Sequence, residues 1–152
     1  SSPGLEAEQE RLERIERDEA LADRIEQIGV EAFVDEWEKV PLFATQSPEV
    51  REQLRKQRLQ NRETGLANSL RGMGTGAQRP LWRELGLLEI PVKLVVGELD
   101  QKFCRIAEDM SEKLPNVEII TVPEAGHTIH VEKPRIFDKI VEEWIIKNER
   151  TE

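Results

Sequence analysis

Two short apolar runs, separated by one helix near the end of the chain, constrain the fold more than any other feature. Residues 92–96 and 117–122 are rich in valine and isoleucine, and a helix is predicted between them over residues 102–114. Strands joined by a single helix lie parallel in one sheet, through a right-handed crossover. The second half of the chain is therefore predicted to be α/β.

The preceding part of the chain is predicted to be helical up to about residue 78. Residues 6–28 carry apolar side chains at helical spacing, and Gly29 follows as a C-terminal stop. The sequence Ser47-Pro48-Glu49 has the order of an N-cap, a first-turn proline and a first-turn acid, and so begins another helix. Shorter helices are expected over residues 65–71 and 80–88.

The sheet is predicted to be incomplete, because the sequence indicates only two strands. Two parallel strands do not form a stable sheet alone, because parallel sheets have several strands and are covered on both faces. We therefore expect the chain to be a structural fragment whose exposed sheet edge needs a partner. A last helix follows Pro134, and its apolar stripe is expected to be buried: Ile136, Phe137, Ile140, Trp144 and Ile145.

Composition excludes some classes of partner. The formal net charge is −9 and no block of lysine and arginine is present, which argues against nucleic acid and anionic membranes. Arginines are locally frequent, so a small anionic ligand in one basic pocket stays compatible with this charge. Cys104 is the only cysteine, and no secretory or membrane-spanning run occurs, which predicts a cytoplasmic protein without an internal disulfide.

Each predicted strand ends in a glycine-containing turn that carries one acid–base residue. Asp100 ends Gly97-Glu98-Leu99-Asp100, and His127 ends Pro123-Glu124-Ala125-Gly126-His127. Neighbouring parallel strands would bring the two turns together, since their carboxyl ends share one sheet edge. An aspartate that accepts a hydrogen bond from imidazole Nδ1–H leaves Nε2 as a general base. Alternatively, Asp100 is a helix N-cap and His127 is a loop histidine with a backbone partner.

The order Asp then His is the one in which a hydrolase-type triad ends, but no Gly-x-Ser-x-Gly elbow occurs in the 152 residues. His127, His130 and Glu132 could also suggest a metal site. Three ligands at this spacing would need a helix, which the preceding loop and Pro134 disfavour. We therefore predict no metal and no other cofactor.

Four motifs in order resemble one known family over nearly the whole chain. They are Trp37-Glu38-Lys39-Val40-Pro41-Leu42-Phe43, Ser69-Leu70-Arg71-Gly72-Met73-Gly74-Thr75-Gly76, Gly97-Glu98-Leu99-Asp100-Gln101-Lys102-Phe103 and Ala125-Gly126-His127-Thr128-Ile129-His130-Val131-Glu132-Lys133-Pro134. The last two resemble the Asp and His loops of the α/β-hydrolase superfamily. All four together resemble its 2-succinyl-6-hydroxy-2,4-cyclohexadiene-1-carboxylate synthase (MenH) family.

This resemblance implies a domain organisation. Residues 1–4 would be a loop leaving the first half of the hydrolase core, residues 5–79 a helical cap, and residues 80–152 the C-terminal part of the core. The first half of the core, which carries the nucleophile elbow and the oxyanion-hole loop in this family, would lie outside these residues. The partner of the sheet edge would then be that missing half.

The resemblance also implies an activity, namely a lyase of menaquinone biosynthesis that eliminates pyruvate from a cyclohexene bearing several carboxylates. Asp100 and His127 would be catalytic, while Arg58, Trp37 and Phe103 would bind the small carboxylate substrate. Without its serine the chain alone is expected to be inactive. The alternatives are an esterase or carbon–carbon hydrolase fragment, and a non-catalytic fragment that self-assembles through its sheet edge.

Individual arginines and the second histidine have open roles. Arg58 could instead be an exposed helix arginine that pairs with its neighbours. Arg71, Arg79 and His130 are weaker candidates for the same site.

Overall fold

The structure, a computed structural model, describes residues 2–149. Its contacts group residues 2–40 with 51–83 in a first unit, and residues 41–50 with 84–149 in a second. Ser1 of the expected loop and residues 150–152 of the expected core part lie outside the described residues. The expected division at residues 79 and 80 stays a prediction.

The first unit is helical. Helix α1 spans Glu8–Trp37, α2 spans Pro48–Arg58 and begins in the second unit, and α3 spans Glu63–Met73. Within α1, Gly29 breaks the helical geometry with φ 78° and ψ 167°, a conformation that favours glycine. The predicted stop at Gly29 is therefore present as a break between two helical stretches.

Helices α1 and α3 pack through apolar and charged contacts. Their buried apolar side chains are Ala22, Ile25, Val30, Phe33, Val34 and Ala67. At the edge of this core, the Arg71 guanidinium on α3 pairs with carboxylates of Glu19 and Asp23 on α1 at 2.8 and 2.7 Å. Glu26 is a third partner at 3.0 Å. The Arg71 guanidinium is thus engaged in a network of ion pairs between the two helices, which disfavours the suggestion that it serves a ligand site.

The second unit contains the sheet. Strand β1 spans Val92–Gly97 and β2 spans Val117–Val122, paired in parallel with Val92 opposite Val117. Helix α4, Gln101–Ser111, connects them, and α5, Ile129–Glu132, and α6, Pro134–Glu149, follow. Short 3-10 helices lie at Pro41–Phe43 and Leu85–Leu87. The predicted parallel α/β arrangement is confirmed, and the described sheet has two strands.

The core of the second unit lies beneath the His127 loop. Val122, Ala125 and Ile129 are buried there, with side chains of β1, β2 and α6 packed around them. Phe137 and Ile140 of α6 take part, but Ile136 and Ile145 are each 45% exposed. The prediction of a buried stripe on α6 was wrong: Phe137, Ile140 and Trp144 are only partly buried, and none of the described residues of α6 is fully buried, because the helix turns only one side toward this cluster.

The predicted helix over residues 80–88 is also wrong. Only Leu85–Leu87 forms a 3-10 turn. Pro80 and Gly86 leave too few residues between them for a stable α-helix, since a short helix cannot offset the cost of nucleation.

None of the helices within residues 2–149 combines the length and the apolar character needed to cross a bilayer.

Candidate active site

Asp100 lies in the turn between the end of β1 and the start of α4. Its Oδ1 accepts a hydrogen bond from the Phe103 backbone N–H at 3.3 Å, which caps the helix. The side chain is buried. Asp100 therefore does cap the helix, as the alternative interpretation expects, but the cap uses only one oxygen of its carboxylate.

The other oxygen of Asp100 faces His127. Nδ1 of His127 lies 2.6 Å from Oδ2 of Asp100, a short distance typical of a charge-assisted hydrogen bond. A carboxylate accepts only, so the nitrogen donates, and this fixes the tautomer with Nε2 free of the proton in the neutral ring. The structure thus brings together Asp100 and His127, whose proximity the parallel strands predict. The His127 ring is hydrogen-bonded to the Asp100 carboxylate rather than to a backbone group.

Backbone hydrogen bonds join the two loops. The N–H of Glu98 donates to the carbonyl of Val122 at 3.0 Å, and the N–H of Leu99 donates to the carbonyl of Ala125 at 2.9 Å. In return, the N–H of Glu124 donates to the Glu98 carboxylate at 2.9 Å. The separation of Asp100 and His127 is consequently set by main-chain contacts as well as by their side chains.

Gly97 allows the loops to approach this closely. A Cβ atom at this position would overlap the carbonyl oxygens of Ala125 and Gly126 and would lie 2.8 Å from the carbonyl carbon of Ala125. Only a residue without a side chain fits against that backbone. The glycine at the end of β1 is thus a steric requirement of the Asp–His pair.

Aromatic and thiol groups surround the pair. The Phe103 ring lies 4.7 Å from the His127 ring between centroids, tilted by 56°. The thiol of Cys104 lies 3.3 Å from the carbonyl oxygen of Gly97, and burial, followed by the nearby Asp100 charge, raises its pKa. A thiol that stays protonated is a poor nucleophile, which favours a structural role for Cys104.

Glu132 is a residue whose part in the site the sequence reasoning missed. Its carboxylate accepts hydrogen bonds from the backbone N–H groups of Gly126 and Thr128 at 2.9 and 3.0 Å. From the sequence, Glu132 is a candidate only for the metal site that the spacing of residues 127–132 disfavours. The signal available was its position four residues after Thr128, the spacing at which a helical side chain reaches back one turn.

Among residues 2–149, no group of three or more histidine, cysteine, aspartate or glutamate side chains is placed to hold a metal ion. Glu132 accepts hydrogen bonds from loop amides, while His130 is exposed and makes an edge-type ring contact with Phe137, with centroids 6.0 Å apart.

A separate cavity of about 230 Å³ lies within the first unit. Its walls are mainly apolar side chains of α1 and α3, and Trp37, Arg58 and Asn61 also line it. Arg58 has a side chain only 19% exposed, and its Nη1 lies 3.1 Å from Oε1 of Glu38. The structure therefore brings Trp37 and Arg58 together in one cavity, and Arg58 is not the exposed helix arginine of the alternative interpretation. Arg79 is exposed.

The parallel strands, the helical crossover and the Asp–His pair at the strand ends define an α/β-hydrolase-like fold. The chain is similar to a Bacillus subtilis protein provisionally named 2-succinyl-6-hydroxy-2,4-cyclohexadiene-1-carboxylate synthase. Identity is 49% over 148 residues, which are 95% of this chain and 54% of that protein. The solved structure of MenH from S. aureus matches with a TM-score of 0.94 and 36% identity, over 97% of this chain and 57% of that one.

An esterase from Thermogutta terrifontis matches with a TM-score of 0.77 and 24% identity, over 89% of this chain and 50% of that one. This second match supports the fold alone. No protein-family model matches the chain. The resemblance to MenH proteins and the predicted fold class are confirmed, and the chain spans about half the length of the relatives it matches.

Proposed function

We propose that this chain is the C-terminal half of a cytoplasmic, menaquinone-pathway synthase that eliminates pyruvate to form 2-succinyl-6-hydroxy-2,4-cyclohexadiene-1-carboxylate. The observation that carries the proposal is the 2.6 Å contact between His127 Nδ1 and Asp100 Oδ2 at the carboxyl ends of β1 and β2. The likeness to a protein of that name at 49% identity supports the choice of reaction.

In this proposal the Asp–His pair activates a serine that another segment supplies. Asp100 holds the imidazole in one tautomer and stabilises the imidazolium, while His127 Nε2 accepts the serine proton. The serine oxygen then removes a proton from the substrate ring, and the resulting electron shift breaks the bond to the departing group, which leaves as the enolate of pyruvate. This enolate takes up the proton held on His127 Nε2 and so becomes pyruvate, and the imidazole returns to its neutral form. Because no Gly-x-Ser-x-Gly elbow occurs in the 152 residues, the chain alone is expected to be inactive.

The cavity of the first unit supplies the proposed substrate contacts. Arg58 presents a guanidinium beside apolar walls and Trp37, a combination suited to a ring that bears carboxylates. The ion pair with Glu38 would hold the guanidinium in place before substrate binds. In the second unit, Phe103 is the proposed substrate contact, because its ring lies 4.7 Å from the His127 ring between centroids. The likeness to MenH from S. aureus supports assigning residues 5–79 to the cap and residues 80–152 to the core, although the contacts group residues 41–50 with the second unit.

The test is an assay of the full-length protein that carries these residues. We expect release of pyruvate from the carboxylated cyclohexene precursor and no turnover of a simple ester. His127→Ala should lower kcat by about 10³-fold or more, because the general base is lost. His130→Ala is the matched control, since His130 is the other histidine in the sequence and is exposed, and it should leave kcat unchanged.

Two results would overturn the proposal. Ester turnover without pyruvate release would favour the esterase or carbon–carbon hydrolase interpretation. Near-normal turnover by His127→Ala would remove the Asp–His relay.

A second experiment addresses the partner of this chain. The 152-residue chain alone should show no pyruvate release, and mixing it with the nucleophile-bearing half should restore activity. If the chain instead forms a stable assembly with itself in sedimentation and never gains activity with the other half, the non-catalytic alternative is favoured.

A further inference from the structure

We infer that Glu132 is a positioning residue for His127, holding the peptide groups on both sides of it. This inference rests on the proposed function, in which His127 is the general base. Within residues 2–149, the hydrogen bonds of the Glu132 carboxylate go to Gly126, Thr128 and Thr45 and not to the imidazole, so Glu132 would act through the backbone that carries the ring.

Both oxygens of the Glu132 carboxylate are used. Oε2 accepts from the N–H of Gly126 at 2.9 Å, and Oε1 accepts from the N–H of Thr128 at 3.0 Å. The hydroxyl of Thr128 also donates to Oε1, at 3.0 Å. Hydrogen bonds to a carboxylate are about twice as strong as neutral ones, so these contacts restrain the residues directly before and after His127.

A second layer of contacts holds the carboxylate and the loop. The Thr45 hydroxyl lies 3.4 Å from Oε2 of Glu132, and the Gln46 amide donates to the Thr128 hydroxyl at 2.8 Å. Gly126 makes room for this arrangement, because a Cβ there would overlap the Thr45 hydroxyl and lie 3.0 Å from Oε2 of Glu132. The same unit therefore supplies both the carboxylate and its supports.

Helix capping alone does not account for this geometry. Helix α5 has four residues, and Glu132 is its last, whereas Gly126 lies three residues before the helix begins. The carboxylate thus reaches back beyond the helix to the residue before His127. Together with Asp100, which holds the ring at Nδ1, Glu132 fixes the imidazole at its backbone end. A displacement of about 1 Å at a catalytic group can lower the rate about 100-fold.

The experiment is Glu132→Gln in the full-length protein. A glutamine has one accepting oxygen and an NH₂ group, so one of the two loop amides loses its acceptor. We expect kcat for pyruvate release to fall about 10- to 100-fold with KM unchanged. We also expect the low-field proton resonance of His127 Nδ1–H to broaden or disappear. Glu142→Gln, an exposed glutamate on α6, is the matched control and should change neither quantity.

The outcomes separate this inference from the proposed function. Normal kcat, or reduced kcat with an unchanged His127 resonance, overturns the positioning role. If Glu132→Gln does not fold, Glu132→Asp replaces it, because the shorter carboxylate keeps its charge but cannot reach both amides. Full activity and an unchanged resonance in that variant overturn the inference. Full activity of His127→Ala would instead overturn the proposed function. In that case the His127 resonance, compared between the wild type and Glu132→Gln, would still report whether Glu132 holds the loop.

Discussion

Substituting Gly97 by alanine tests whether close packing of two loops sets the Asp–His geometry. Gly97 is the last residue of β1, and it lies against the backbone of Ala125 and Gly126. An alanine Cβ would lie 2.8 Å from the carbonyl carbon of Ala125, while ordinary contacts begin at 3.4 Å. The backbones must therefore separate by at least 3.4 − 2.8 = 0.6 Å, and by more to relieve the two carbonyl oxygens.

That displacement cannot be absorbed by a side-chain rotation, because the opposing atoms are backbone. It would lengthen the hydrogen bond from Leu99 N–H to the Ala125 carbonyl and move His127 relative to Asp100. Overpacking of this kind costs about 1–3 kcal/mol of unfolding free energy. If Asp100 and His127 act as proposed, a shift of about 1 Å between them would lower kcat about 100-fold.

The assay compares urea unfolding with pyruvate release by the full-length protein. Gly65→Ala is the matched control, because a Cβ at Gly65 in α3 meets no atom within 4 Å. Alanine should stabilise that helix by about 0.5–1 kcal/mol and leave kcat unchanged. If Gly97→Ala unfolds at the same urea concentration as the wild type and keeps its kcat, the steric argument fails.

Two further predictions concern the cavity arginine and the single thiol. Arg58→Lys keeps the charge but loses the planar guanidinium fork, so kcat/KM should fall about 10-fold or more. Arg51→Lys, on the exposed part of α2, is the control and should not change kcat/KM. An unchanged kcat/KM for Arg58→Lys would exclude Arg58 from substrate binding. Cys104 should react with iodoacetamide more slowly than free cysteine near pH 8, since its raised pKa leaves less thiolate at any given pH, and the rate should rise as pH approaches that pKa. A rate equal to that of free cysteine near pH 8 would contradict this.

The sheet and the Asp–His pair could be predicted because their signals are local. The valine-rich runs of β1 and β2 and the glycine turns after them are visible in consecutive residues, and the parallel crossover then follows from chain connectivity. The break at Gly29 is local in the same sense. Proximity of Asp100 and His127 required only one further rule, that parallel strands share their carboxyl edge.

The support around His127 could not be predicted in this way. Thr45 and Glu132 are 87 residues apart, and Gln46 and Thr128 are 82 apart. No periodicity links such pairs, because their contact depends on how the segment before α2 folds against the sheet. The exposed side of α6 at Ile136 has a similar origin, since a helical pattern identifies apolar positions without showing which of them the core covers.

Under the proposed function, the support of His127 also bears on what a nucleophile-bearing half would have to provide. Asp100 fixes the ring tautomer, Glu132 holds the flanking amides, and Gly97 sets the spacing between the loops; all three lie in the second unit. Preorganised groups of this kind need little rearrangement when the reaction begins. A serine brought to His127 Nε2 would therefore meet a base whose geometry is already set. In complementation, the rate should then depend on how accurately the serine and its oxyanion hole are placed, and stabilising the Asp–His pair further should add little.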